Sequence, residues 1–226
     1  GLANVKARVT RSRRGYAISL TGGTHYGPIS GDLDVLSANG PLTVDVLRGD
    51  FAGVALNGRL QQSRSGPFAG TLTGIGSGFY GTIALSSSGK YQRAIVKGIA
   101  TNAELRGEQR LAIGRGIIDA DVVLYDRPEI IADIQVENAV IGATSLAAAR
   151  AKINYRGGSG TAQFLAEGRN QVPFRIAGNA ELTPQLWRIA AKGRANSIDF
   201  ATAGPLRIVP RRADYERVSA ELADAH

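Results

Sequence analysis

Apolar and polar residues alternate with a period of two along most of this chain. Val5, Ala7 and Val9 alternate with Lys6, Arg8 and Thr10, and Tyr16, Ile18 and Leu20 with Ala17, Ser19 and Thr21. The same stripe recurs at Leu42, Val44 and Val46, at Val54, Leu56, Gly58 and Leu60, and at Phe79, Gly81, Ile83 and Leu85. It returns at Ala151, Ile153 and Tyr155, at Phe174, Ile176 and Gly178, and at Trp187, Ile189 and Ala191. Successive side chains of a strand point to opposite faces, so each stripe predicts a strand with one apolar and one wet face. Turn clusters separate the stripes: Gly22-Gly23, Asn39-Gly40-Pro41, Arg48-Gly49-Asp50, Ser65-Gly66-Pro67, Ser88-Gly89, Gly157-Gly158 and Gly204-Pro205. These residues supply the positive or fixed φ of tight connections. Strands starting roughly every 12 to 17 residues predict an all-β chain of a dozen or more.

Helical periodicity is weak. The string TSLAAAR (Thr144 to Arg150) predicts a short helix leading into the strand that starts at Ala151. The tail from Ala213 to Ala225 reads as a helix or a frayed end, and no Gly/Ser linker divides the chain. The expected organisation is a repetitive β segment over 1–210 and a poorly matched tail over 211–226. Gly31-Asp32-Leu33-Asp34-Val35 and Gly40-Pro41-Leu42-Thr43-Val44 share a Gly-x-apolar-x-apolar form whose period drifts, unlike that of a strict solenoid.

Composition narrows the chemistry. Among 226 residues there is no Cys and no Met, with 29 Gly and only 6% aromatic residues. Without Cys there are no disulfides, thiolate nucleophiles or cysteine zinc sites, and the compartment stays open. A chain that starts at Gly1 and lacks Met reads as a piece of a longer protein. No apolar run approaches the ~18 residues of a membrane-spanning helix; Ile130 to Val140 is interrupted by Asp133, Gln135 and Glu137. No secretory signal pattern is visible.

Catalytic groups are few. His25 sits in a Gly-rich turn and His226 is the last residue, so a histidine-based triad or metal site would rest on His25 alone; both read as solvated. Asp32 with Asp34, Asp119 with Asp121, and Asp133 with Glu137 are carboxylate pairs without a nucleophile beside them, the pattern of a solvated strand face. Gly74-Ile75-Gly76-Ser77-Gly78 looks like a phosphate loop, but a strand and not a helix follows it, which predicts a hairpin connection. The expected inventory contains no catalytic residue, no metal and no cofactor.

The charge of +8 is uneven: Lys6, Arg8, Arg11, Arg13 and Arg14 precede the first acid, Asp32. Nucleic-acid binding would want aromatics among them to stack bases, and only Tyr16 is close, so no nucleic acid is expected. Contact with anionic lipid, or a plain solubilising face, accounts for the stretch.

The summed apolar face is the strongest signal. With aromatics scarce, a thick sandwich core is poorly supplied, whereas a long curved sheet with its apolar face inward would form a groove. Such a surface can hold acyl chains, since each buried CH₂ contributes ~0.8 kcal/mol. Fourteen strands ~4.8 Å apart would make a path of about 65 Å.

The strings GDLDVLSANGPLTVDV (Gly31 to Val46), INYRGGSGTAQFLAEGR (Ile153 to Arg169), VPFRIAGNAELTPQLWRIAAKGRANSIDF (Val172 to Phe200) and GPLRIVP (Gly204 to Pro210) resemble TamB-like proteins of the AsmA-like superfamily, in their alphaproteobacterial form. The resemblance implies an elongated, taco-like β-groove of repeated antiparallel or mixed strands with an apolar inner face. It implies a periplasmic segment of an inner-membrane-anchored protein of a Gram-negative bacterium. Its expected role is passive, non-enzymatic conduction of phospholipid between the inner and outer membranes, with support of outer-membrane protein assembly and secretion. The implied partners are phospholipid acyl chains and, through parts outside this chain, an Omp85-type outer-membrane barrel. Leu42, Val44, Val46, Val54, Leu56, Ile83, Leu85, Ile153, Phe174, Ile176, Trp187 and Ile189 are the expected groove-lining residues. A β-solenoid surface or adhesin-like module is the alternative, and a β-helix enzyme the third reading. Periodicity alone does not assign faces, because a one-residue register slip exchanges them.

Overall fold

The computed structural model describes residues 3–13, 15–24, 27–37, 40–106, 110–209 and 219–221. His25, Arg14, Asn39 and His226 lie outside the described residues, as does most of the tail. The strands are β1 (Ala3–Ser12), β2 (Gly15–Thr24), β3 (Gly27–Leu36), β4 (Thr43–Phe51), β5 (Val54–Gln62), β6 (Phe68–Gly76), β7 (Phe79–Ser88) and β8 (Tyr91–Arg106). They continue as β9 (Arg110–Val123), β10 (Glu129–Ile141), β11 (Thr144–Arg156), β12 (Ser159–Asn170), β13 (Val172–Leu182) and β14 (Trp187–Ala195). Three short strands close the series: β15 (Ile198–Ala201), β16 (Leu206–Val209) and β17 (Ser219–Glu221).

Each strand from β2 to β14 pairs antiparallel with the strands before and after it, so the chain runs as one continuous meander. Both β15 and β16 pair with β14, and β17 pairs with β16. A coiled solenoid stacks parallel strands; every described pairing here is antiparallel, and among the described residues β1 pairs only with β2. The result is an elongated, open, curved sheet.

The short helix expected over Thr144 to Arg150 is corrected: this string is the first half of β11. Its alanines favour a helix, but pairing with β10 on one side and β12 on the other outweighs that preference. The Gly74–Gly78 string is a hairpin connection, with Ser77-Gly78 turning β6 into β7.

Among the described residues no second layer covers the sheet. A compact 23.7 kDa domain would expose about 9,800 Å², whereas this chain exposes 15,100 Å². Among the described residues six of the eight buried apolar side chains are alanines, with Leu105 and Val123 the exceptions. The larger aliphatic residues are therefore only half-buried, shielded by neighbours across the curve of the sheet and not by a facing layer.

Register irregularities decide which residues face inward; β4 steps from Val46 to Gly49, and the largest such feature spans β8 to β10. In β8 the inward series Val96, Gly98, Ala100 continues as Ala103 and Leu105, a step of three where a strand normally takes two. The opposed series make the same step, from Ile113 to Gly116 in β9 and from Val136 to Ala139 in β10. Asn102 and Asn138, at φ 47° and 51°, take the step on either side of Gly114. Asn tolerates this left-handed conformation better than other side-chain-bearing residues. Without the step Leu105 and Ile113 would turn to the outer face; with it, Ala103 and Ala139 become the most buried apolar residues, at 2% and 1% exposure.

Candidate functional site: an uncovered apolar trough

The inner face carries an unbroken ladder of directly opposed apolar positions. It begins Val9, Ile18, Leu33, Val46, Gly58, Leu72, Ile83 and Val96 on β1 to β8. It continues Ala120, Ala132, Ile153, Ala162, Ala180 and Ile189 on β9 to β14, and ends at Leu206 on β16. Fourteen inter-strand steps of ~4.8 Å make roughly 65 Å along the sheet. Because side chains alternate along a strand, positions two residues to either side line the same face.

The expected lining residues fall on this face. Val44 and Val46 oppose Leu60 and Gly58, Val54 and Leu56 oppose Phe51 and Gly49, and Ile83 and Leu85 oppose Leu72 and Gly70. Ile153 opposes Ala132, Phe174 and Ile176 oppose Ala195 and Gly193, and Trp187 and Ile189 oppose Leu182 and Ala180. All are half-buried, as is Leu42, which stands just before β4 and accepts a hydrogen bond from the Gln62 N–H on its backbone carbonyl. The expected lining residues include none from β6, β8, β9, β10 or β12; in β8 and β12 alanines and glycines on this face blur the stripe.

Glycine makes the trough concave. Large residues sit beside glycines across the ladder: Leu56 opposite Gly74, Ile118 opposite Gly98, Val136 opposite Gly116 and Phe164 opposite Gly178. A Cβ at Gly178 would lie 2.7 Å from the Phe164 ring, and one at Gly98 would lie 3.0 Å from Ile118. An inward-curving face crowds its side chains together, and placing a hydrogen atom beside each bulky group relieves the crowding.

At Gly74, Gly81 and Gly98 three glycines oppose one another on β6, β7 and β8. The missing side chains leave an apolar cavity of about 450 Å³, lined from Phe51 and Leu56 on β4 and β5 to Ile134 and Val136 on β10. Residues six strands apart share one cavity because the sheet curls around it. On the outer face of the same strands Ile75, Tyr80, Ile99 and Ile117 oppose one another and are 41% to 52% exposed. The outer face is therefore not uniformly polar; these bulky residues adjoin the inner glycines and stiffen strands that glycine weakens.

Elsewhere the outer face carries ion pairs among further exposed apolar residues such as Ile131 and Leu165. Arg59 grips Asp45 with Nη2–Oδ2 at 2.8 Å, Arg93 donates to Asp121 through Nε at 2.9 Å, and Arg150 donates to Asp133 at 2.7 Å. Arg194 holds Asp199 at 2.6 and 2.8 Å. These fork-like hydrogen bonds hold all four carboxyls below the ordinary aspartate range. A general acid needs the opposite shift. Of the carboxylate pairs singled out in the sequence, Asp32 accepts from Ser19 at 2.8 Å, Asp119 faces Lys97 at 3.8 Å, and Asp121 and Asp133 belong to the arginine pairs. Among the described residues no group of His, Asp and Glu is placed to hold a metal ion. The basic residues Lys6, Arg8, Arg11 and Arg13 stand exposed on and beside the edge strand β1.

No known family, curated protein or solved structure matches this chain.

Proposed function

We propose that this chain is a non-enzymatic lipid-conducting groove: the acyl chains of phospholipids lie against the inner ladder and slide across the strands. The observation that carries the reading is an apolar ladder crossing the whole meander while its large side chains stay half-exposed. Soluble monomers rarely leave a contiguous apolar surface above a few hundred Å² uncovered, and such surfaces mark interaction sites. An aliphatic ladder without directional polar groups suits flexible hydrocarbon, which needs area and not hydrogen bonds. The path is far longer than one ligand, which favours passage over storage.

The resemblance of the Gly31–Val46, Ile153–Arg169, Val172–Phe200 and Gly204–Pro210 strings to TamB-like proteins points the same way. On that reading the segment works in the periplasm of a Gram-negative bacterium, as part of an inner-membrane-anchored protein. There it carries phospholipid between the two membranes and supports outer-membrane protein assembly with an Omp85-type barrel. Organic extraction of the purified chain followed by lipid mass spectrometry tests the groove itself. Phospholipid at a stoichiometric ratio is the expected result. A protein that neither retains lipid nor takes it from vesicles overturns the reading.

A further inference from the structure

The two long rims of the trough are rows of hairpin tips, and they differ in charge. One rim carries Arg13 at the β1–β2 tip, Arg64 at β5–β6, Lys90 at β7–β8 and Arg127, beside Asp126, at β9–β10, all exposed; the described residues of its other tips, at β3–β4, β11–β12 and β13–β14, are uncharged. The described tips of the other rim are Ala52-Gly53, Ser77-Gly78, Gly142-Ala143, Gln171 and Asn196-Ser197, which are uncharged. Four arginines of the outer face, Arg59, Arg93, Arg150 and Arg194, are neutralised by aspartates, whereas Arg64, Lys90 and Arg127 make no ion pair among the described residues. Lys90 lies 5.1 Å above the Tyr91 ring, Arg127 packs over the Gly157-Gly158 tip, and the neighbouring acid Asp126 accepts from the Tyr91 hydroxyl at 3.3 Å. Tips on one rim recur every second strand, roughly 10 Å apart. That is about one Debye length in physiological salt, so an anion leaving one cation enters the field of the next.

The distance down from this rim also fits a lipid. From Ser88 at the Lys90 tip to Ile83 at the near edge of the apolar cavity is five residues, about 17 Å along β7. One leaflet of a ~30 Å hydrocarbon core is about 15 Å deep, the length of one acyl tail.

We infer that the trough takes anionic phospholipids in one orientation, with the headgroup phosphate on the Arg64–Lys90–Arg127 rim and the acyl tail descending past Leu85 into the Gly74–Gly81–Gly98 cavity. This rests on the lipid-groove reading above and adds to it a headgroup class and a polarity across the trough.

The test compares the intact chain with the triple variant Arg64→Gln, Lys90→Gln, Arg127→Gln. Both are incubated with vesicles containing phosphatidylglycerol or a diacylglycerol of the same acyl chains, and retained lipid is quantified. The original chain is expected to prefer phosphatidylglycerol by at least about tenfold, and the variant to lose that preference while keeping diacylglycerol. Because the chain lacks cysteine, a fluorophore can be placed singly through Ser65→Cys on the charged rim or Ala143→Cys on the opposite rim. Headgroup-spin-labelled phosphatidylglycerol should quench the first and spare the second. Equal retention of the two lipids with an unchanged triple variant, or equal quenching at both rims, overturns the inference and leaves the groove standing. Retention of neither lipid overturns the groove reading itself.

Discussion

Ile83 and Thr82 are sequence neighbours on β7 with opposite fates, and that contrast makes a sharp test of the trough. Ile83 faces inward between Leu72 and Val96 at the centre of the ladder; Thr82 faces outward between Thr73 and Lys97. Fully burying an isoleucine is worth up to about 3 kcal/mol. Ile83 is only half-buried and an aspartate there keeps its water, so Ile83→Asp should cost folding roughly 1 to 1.5 kcal/mol. Its effect on a passing acyl chain is larger. Three methylenes denied contact with the ladder lose ~2.4 kcal/mol at ~0.8 each, about 50-fold in affinity, before any cost of drying the carboxylate. Thr82→Asp places the same charge opposite Lys97 and should leave lipid affinity within about twofold. Titration with a fluorescent acyl-chain probe, alongside thermal unfolding, reads both quantities. Equal losses from the two substitutions, or no loss from Ile83→Asp in a folded protein, would refute the assignment of faces on which the site rests.

Other outcomes follow from the same geometry. Gly98→Val should fill part of the cavity while stability holds within about 1 kcal/mol, because the gain in strand preference offsets the displacement of Ile118; lipid stoichiometry against melting temperature separates the two. Asn102→Val with Asn138→Val should cost about 1 to 2 kcal/mol per site, since a β-branched side chain resists positive φ, and hydrogen exchange should rise first around Ala103 and Ala139. The Asp45 carboxyl is held below its usual value mainly by the Arg59 hydrogen bond. With the folded-state pKa depressed, its stabilising contribution is complete above the unfolded value of about 3.9 and is lost as pH falls through the folded value. Carboxyl NMR should place the Asp45 midpoint below 3.8, and Arg59→Gln should return it toward that value.

Much of the architecture was legible in the chain itself, because alternation is a local property. A strand turns its side chains to alternate faces whatever it pairs with, so the stripes at Val44–Val46, Ile83–Leu85 and Ile176–Gly178 announce strands; clusters such as Ser65-Gly66-Pro67 and Gly157-Gly158 announce turns, whereas Gly22-Gly23 and Arg48-Gly49-Asp50 lie within β2 and β4, the latter at a bulge. Scarce aromatics and absent cysteine argued against a thick or stapled core. Local reading failed at TSLAAAR, where alanine's helix preference carried no information about the two strands waiting to pair with it. It also named no lining residue from β6, β8, β9, β10 or β12; in β8 and β12 alanines and glycines on the inner face carry little hydrophobic contrast.

Which face each stripe occupies is a property of pairs of strands, and only the tertiary structure decided it. The three-residue step at Asn102 and Asn138 matters because β8, β9 and β10 all take it at the same height; in one strand alone it would be an irregularity. The three glycines at positions 74, 81 and 98 are far apart in the chain and unremarkable there; pairing sets them side by side and opens the cavity. The charged rim is likewise a fact of connectivity, since alternate turns of a meander collect on opposite sides. Hydrophobic patterning thus specifies that a sheet forms and that it has an apolar side. Register, curvature and the order of the turns make that side a trough.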